Sequence, residues 1–304
     1  MRGDRLTDSN RTCTRRRPLL LFATLCLLLP ASRSLSAAEV GPDRGTLVVV
    51  GGGGNIDESL HRFVELAGGS AAPIVVIPTA NGAPSYDQHH RAAVWFRDEA
   101  GLTDVTVLHT DDRSVADSEE FTAPLRRARG VWFPGGRQWR LADSYLGTRT
   151  QRELEALLAR GGVIGGTSAG ATIQGAYLAR GDTKTNTIMM GDHEVGFGFL
   201  RGVAIDQHLL KRNRQFDLLE IIAAKPELLG IGLDEDTAIV VRGDRFEVIG
   251  EGYVAIYDAR RELRSGGDFY FLSPGDVFDL ATRTPLRRGL LPDAFVPLFA
   301  PNPR

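Results

Sequence analysis

The chain has 304 residues, with 36 Lys plus Arg against 38 Asp plus Glu, 42% hydrophobic residues and two cysteines. A formal net charge of −2 offers little attraction for a phosphate backbone, so nucleic acid is not an expected partner. The length is ample for one large core.

Residues 1 to 38 read as a leader. Arg11 and Arg15-Arg16-Arg17 form a basic region, residues 18 to 30 an apolar stretch, and Ser36-Ala37-Ala38 a small-residue cleavage site. The apolar stretch is shorter than the roughly 20 residues a spanning helix needs. A removable signal peptide is expected, followed by a single domain over 39–304 that is periplasmic or extracellular. Arg15-Arg16 admits a twin-arginine route; Cys26 admits a lipid attachment, which bulky Leu25 disfavours.

Removing the segment takes away seven arginines, two aspartates and both cysteines, Cys13 and Cys26. The remainder holds 29 basic and 36 acidic residues, a formal net charge of −7. Without cysteine it has no thiol nucleophile and no disulfide, which suits an oxidising compartment. No membrane partner is expected once the leader is gone.

From residue 46 strand and helix patterns alternate. The spacing predicts strands over 46–50, 74–77, 105–108 and 130–133, and helices over 57–67, 86–100, 118–128 and 149–160. The strands are continuous apolar runs, as in parallel sheets covered on both faces. The fold class is therefore α/β: a three-layer, mostly parallel sheet with helices on both faces. Ligands bind such sheets beyond the carboxyl ends of the strands. Residues 181 to 200 form an excursion, and a strand over 203–205, a helix over 212–224 and a strand over 230–233 follow. Short runs at 238–241, 246–249, 253–257 and 270–272 predict an antiparallel C-terminal extension.

Val163-Ile164 runs into Gly166-Thr167-Ser168-Ala169-Gly170, a G-x-S-x-G elbow with helix-compatible sequence after it. Glycines leave room where strand and helix meet around a strained serine, making Ser168 the candidate nucleophile. The Ala169 amide and the Gly135-Gly136 pair after the fourth strand are candidate oxyanion donors, with Gly136 placed for close approach. Gln138 beside them is a candidate substrate contact.

A serine nucleophile needs a base. Of the six histidines, only His208 directly follows a core strand in the half of the chain after the elbow; His193 is the rival. The orienting acid is open between Glu235, which follows the strand at 230–233, Asp182 and Glu194. His89-His90 lacks a partner at helical spacing for a metal, and no metal or other cofactor is expected. Gly51 to Gly54 fails the dinucleotide fingerprint. Lys211-Arg212-Asn213-Arg214 is a basic cluster in an acidic chain; cations are disfavoured at a helix start, which points to substrate carboxylate binding.

Gly-Gly-Thr-Ser-Ala-Gly-Ala at 165–171, Phe-Pro-Gly-Gly-Arg-Gln at 133–138, Asp-Gln-His at 206–208 with Arg212, and Gly-Ile-Gly-Leu-Asp-Glu-Asp-Thr-Ala at 230–238 together resemble the cyanophycinase family. This serine peptidase family also holds α-aspartyl dipeptidase. The resemblance spans about Thr46 to Tyr257. It implies a class I glutamine amidotransferase-like fold with serine in place of cysteine. It also implies exo-type cleavage of cyanophycin, a poly-aspartate carrying arginine on its side-chain carboxyls, to β-Asp-Arg dipeptides. By position it makes Ser168 the nucleophile, His208 the base, Gln138 and Arg212 substrate contacts, and Glu235 or Asp182 the acid, with Glu235 favoured.

The chain departs from the pattern at Leu209, where the family carries an aromatic residue, at Asp217, where it carries an arginine, and at Arg137, where it carries an acid or polar residue. A catalytically silent binding protein on the same fold is the alternative those changes suggest. A peptide or polymer is the expected partner, with a homodimer left open.

Overall fold

In the computed structural model, residues 38–263 and 266–286 are described. The leader, with its expected cleavage region up to residue 37, lies outside them. The strands are β1 (Thr46–Val50), β2 (Ile74–Val76), β3 (Val105–Val107), β4 (Gly130–Phe133), β5 (Val163–Thr167), β6 (Gly175–Tyr177) and β7 (Leu200–Gln207). They continue as β8 (Leu229–Leu233), β9 (Thr237–Arg242), β10 (Arg245–Gly250), β11 (Val254–Tyr257), β12 (Tyr270–Leu272), β13 (Val277–Asp279) and β14 (Thr284–Leu286). The helices are α1 (Asp57–Ala67), α2 (Arg91–Asp98), α3 (Arg113–Ala116), α4 (Glu119–Arg127), α5 (Gln138–Tyr145), α6 (Arg149–Ala159), α7 (Ala169–Thr172) and α8 (Leu218–Ala224).

A nine-stranded sheet runs β14-β13-β10-β9-β1-β5-β4-β2-β3. Its β1-β5-β4-β2-β3 half is parallel, and β1 is buried at every position, as its run of Leu47, Val48, Val49 and Val50 requires. β9, β10, β13 and β14 add the antiparallel extension on the other side of β1. One apolar cluster gathers Leu47, Phe133, Leu157 and Ile164, and a second gathers Val48, Phe63, Phe96 and Trp132, so that two layers of side chains sandwich the parallel strands.

A difference from the sequence reading lies in the later strands. β7 and β8 belong to a separate five-stranded sheet, β12-β11-β8-β7-β6, and β11 and β12 join it too. Only 238–241 and 246–249 of the short runs extend the main sheet. The reason is local: β8 ends at Leu233, and three acidic residues turn the chain from the second sheet into β9 of the first. That crossover places a carboxylate between the two sheets.

Three helices are shorter than expected, among them α2, which covers Arg91–Asp98 of the expected 86–100. The helix after the elbow is one turn, α7. The helix expected over 212–224 begins only at Leu218, because residues after His208 coil through turns closed by Arg212 N to His208 O and Arg214 N to Leu209 O.

Candidate active site

Ser168 occupies the strained elbow. Its φ is 55° and ψ −113°, a region that side chains avoid, and its amide donates to Val50 O at 2.9 Å. The flanking glycines are required by space. A β-carbon at Gly166 would stand 2.4 Å from Gly170 O, and one at Gly170 would stand 2.0 Å from Phe133 O. Strand, turn and helix thus close around the serine without side chains between them.

His208 follows β7 and is buried. Ser168 Oγ lies 2.9 Å from its Nε2, and its Nδ1 lies 2.6 Å from Glu235 Oε1. A carboxylate only accepts, so Nδ1 carries the proton and Nε2 is left to accept from the serine hydroxyl. Burial and the nearby Arg212 and Arg214 charges push the His208 pKa down, with Glu235 opposing them, so the ring is neutral at neutral pH.

The three acids of the crossover divide the work. Asp234 Oδ1 accepts from the amides of Leu210, Lys211 and Glu235 at 2.9 to 3.1 Å, bracing the turn after the histidine. Glu235 faces His208. Asp236 Oδ1 accepts from Asn55 N at 2.8 Å, and Asp236 N donates to Gly52 O at 2.8 Å.

The Gly51 to Gly54 loop is a part that sequence reasoning missed. It is a seat for the histidine, since His208 N donates to Gly51 O at 3.0 Å. Gly52 has φ 124°, and a β-carbon there would stand 2.2 Å from His208 Cε1. The available signal was the run of four glycines directly after a core strand.

Gly135 lies beside the nucleophile: a β-carbon on it would stand 3.3 Å from Ser168 Cβ and 3.7 Å from Oγ. Gly136, with φ 139°, packs on Ala80 O. Ala169 is buried at the start of α7. Among the described residues, no acceptor takes the Gly135, Gly136 or Ala169 amide.

Other candidates fall elsewhere. Asp182 does not reach His208: its Oδ1 accepts from the amides of Lys184 and Thr185 at 2.9 and 2.8 Å, because the chain turns back on it there. Gln138 is 1% exposed, and its amide donates to Ala179 O and Arg180 O at 2.6 and 3.0 Å, so it braces that segment and does not face an open pocket. His193 Nε2 lies 2.7 Å from Asp143, and Glu194 accepts from the Tyr177 hydroxyl at 3.2 Å. His90 Nδ1 accepts from Ala92 N at the start of α2.

The three departures acquire partners. Arg137 donates to the carbonyls of Asp182 and Thr185. Leu209 is fully buried and packs over Gly232. Asp217 pairs with Arg180, which also grips Asp206 at 2.8 and 3.2 Å, while Arg214 donates to Gln207 O and Oε1 at 3.0 Å. Arg212 is exposed and makes no ion pair among the described residues.

The profile of Peptidase family S51 matches residues 47–249. The chain belongs to peptidase family S51. It is a serine-type peptidase, and its sequence is similar to cyanophycinases. One from Geminocystis herdmanii (strain PCC 6308) is 33% identical over 224 residues, covering 71% of this chain and 82% of that one. Another from Synechococcus elongatus is 33% identical over 251 residues, covering 77% of each. Among solved structures, a peptidase from an acI-B1 Actinobacterium superposes with TM-score 0.61 at 25% identity, covering 78% of this chain and 97% of that one. A putative peptidase E protein from Listeria monocytogenes EGD-e shares the fold, with TM-score 0.50 at 19% identity, covering 68% and 99%. The S51 chain therefore has the class I glutamine amidotransferase-like fold.

Proposed function

We propose that this peptidase is an exported exopeptidase that hydrolyses cyanophycin or related β-linked aspartyl peptides and releases β-Asp-Arg-like dipeptides. The observation that carries the reading is the unbroken chain from Ser168 Oγ through His208 to Glu235. Similarity to cyanophycinases supports the substrate, and the leader pattern supports export. No helix among the described residues is long and apolar enough to cross a membrane.

In this account Ser168 Oγ attacks the backbone carbonyl of a β-linked aspartyl residue while His208 Nε2 takes its proton. The oxyanion forms between the Gly136 and Ala169 amides, which are free to receive it. His208 then returns the proton to the leaving amine, and water hydrolyses the acyl-enzyme by the same steps. Glu235 keeps the ring in the tautomer that accepts at Nε2. Arg212, unpaired and one turn beyond His208, takes a substrate carboxylate. Gln138 and Asp182 act at a distance, by shaping the 179–187 segment.

Incubating the purified protein with cyanophycin and with isoaspartyl dipeptides, and reading products by mass spectrometry, tests the substrate. β-Asp-Arg from the polymer is expected; turnover of neither substrate class overturns the assignment. The silent alternative loses its motive, because Arg137 and Asp217 are both occupied internally.

A further inference from the structure

Residues just after the expected leader are gripped by two charged side chains from distant parts of the chain. Asp244, in the turn between β9 and β10, accepts three consecutive amides: Glu39 N on Oδ2 at 2.9 Å, and Val40 N and Gly41 N on Oδ1 at 2.8 and 3.1 Å. Arg201, near the start of β7, donates to the carbonyls of Ala38, Glu39 and Gly41, and its own amide donates to Val40 O at 2.8 Å. The seat is close: a β-carbon at Gly41 would stand 1.8 Å from Gly243 O. Burial opposes ionisation of Asp244, yet the three amides and the Arg201 charge outweigh it and hold the carboxyl below its ordinary pKa.

An ionised carboxylate set 2.9 Å from the Glu39 nitrogen is one half of an ion pair. A peptide N–H brings it a partial charge, whereas an α-ammonium on the same nitrogen brings a full one, and charge-assisted hydrogen bonds are the stronger kind. Near the end of the leader the sequence offers three cuts with small residues at the last and third-last positions, after Ser34, after Ser36 and after Ala38. Only the cut after Ala38 puts the new amine at Glu39.

We propose that a leader peptidase hydrolyses the Ala38–Glu39 bond and that the Glu39 α-ammonium so formed pairs with the Asp244 carboxylate. Water adds across the amide; Ala38 leaves as a carboxylate on the leader, and the Glu39 nitrogen takes up a proton. Maturation then completes a contact that the precursor makes only as a neutral amide. The Arg201 bond to Ala38 is given up, while those to Glu39 and Gly41 remain. The inference rests on the export reading.

Expression of the full chain in an exporting bacterial host, with the N-terminus of the purified protein read by mass spectrometry, is the first test. A chain beginning at Glu39 is expected. A start at Ala37 or elsewhere overturns the proposal, and a retained leader overturns both it and the export reading.

The second test compares purified chains made to begin at Glu39 and at Ala37. The Glu39 chain is expected to melt about 2–4 °C higher, and the difference should vanish in Asp244→Asn. Should that variant not fold, N-terminal acetylation of the Glu39 chain removes the same charge and should lower melting by the same amount. Equal melting of charged and neutral forms overturns the ion pair. These readouts are mass and melting temperature, so they stand apart from the catalytic assignment.

Discussion

The carboxylate of Asp217 rests on the guanidinium of Arg180, a residue that is itself buried and bound to Asp206. Arg214 completes a group of two guanidinium and two carboxylate side chains with no net charge. The acid at 217 is therefore matched from inside the protein, and Arg212 is the guanidinium left over for substrate.

Burial ranks the two acids of this group. Asp206 is 0% exposed, and Asp206→Asn should cost about 3–5 kcal/mol, since it leaves the buried Arg180 and Arg214 with Asp217 as the remaining carboxylate of the group. The Asp217 side chain is 35% exposed, so water screens the loss, and Asp217→Asn should cost about 1 kcal/mol or less. Urea denaturation of the two variants checks the order; an equal or reversed cost contradicts it.

The histidine seat makes a second prediction. Gly52→Ala drives a methyl group into the His208 ring at a position where φ is also unfavourable. Displacing the base by about 1 Å should lower kcat on the order of 100-fold, while circular dichroism still reports a folded chain. Unchanged kcat would show that the loop does not set the ring.

The pH profile follows from the signs of the shifts. Burial holds the His208 pKa below its ordinary 6.5, so kcat/KM should stay flat through neutrality and fall only below pH 6.5. Arg212 opposes protonation of His208, so Arg212→Ala should move the acid limb to higher pH as well as raise KM. Glu235→Gln removes the anion that raises the pKa and also the tautomer lock. The limb should shift to lower pH, and kcat should fall on the order of 10³–10⁴-fold. Rate measurements from pH 4.5 to about 8, across the ordinary histidine range, check all three. A limb that Arg212→Ala leaves unmoved contradicts the assigned electrostatics.

Much of this arrangement is legible in the sequence because Ser168 and His208 follow directly on a strand and Glu235 stands one residue beyond another. Strand ends are where an α/β sheet exposes side chains; the sequence reading expected one edge, whereas the end of β5 in one sheet meets the ends of β7 and β8 in the other. What is not legible depends on pairing between remote residues. An apolar run does not state which sheet it joins, and so the separate sheet of β7 and β8 is invisible until Leu233 is seen turning into β9. Gly52 is an ordinary loop glycine until His208 is placed over it, and Asp217 is an inverted charge until Arg180 is found beneath it. Gln138 has the same character: its position beside Gly136 suggests substrate, whereas its two carbonyl partners lie some forty residues on.

A serine-directed fluorophosphonate separates an active nucleophile from a silent fold. Labelling is expected at Ser168, mapped by peptide mass spectrometry, and should be lost in His208→Ala. Labelling at another serine would remove Ser168 from the account.

Whether Ser168 is the nucleophile is read from the rate of dipeptide release from cyanophycin by Ser168→Ala beside the unmodified chain. β-Asp-Arg is expected from the unmodified chain, with a loss on the order of 10⁴-fold or more in the variant. Undiminished release by Ser168→Ala would contradict that assignment.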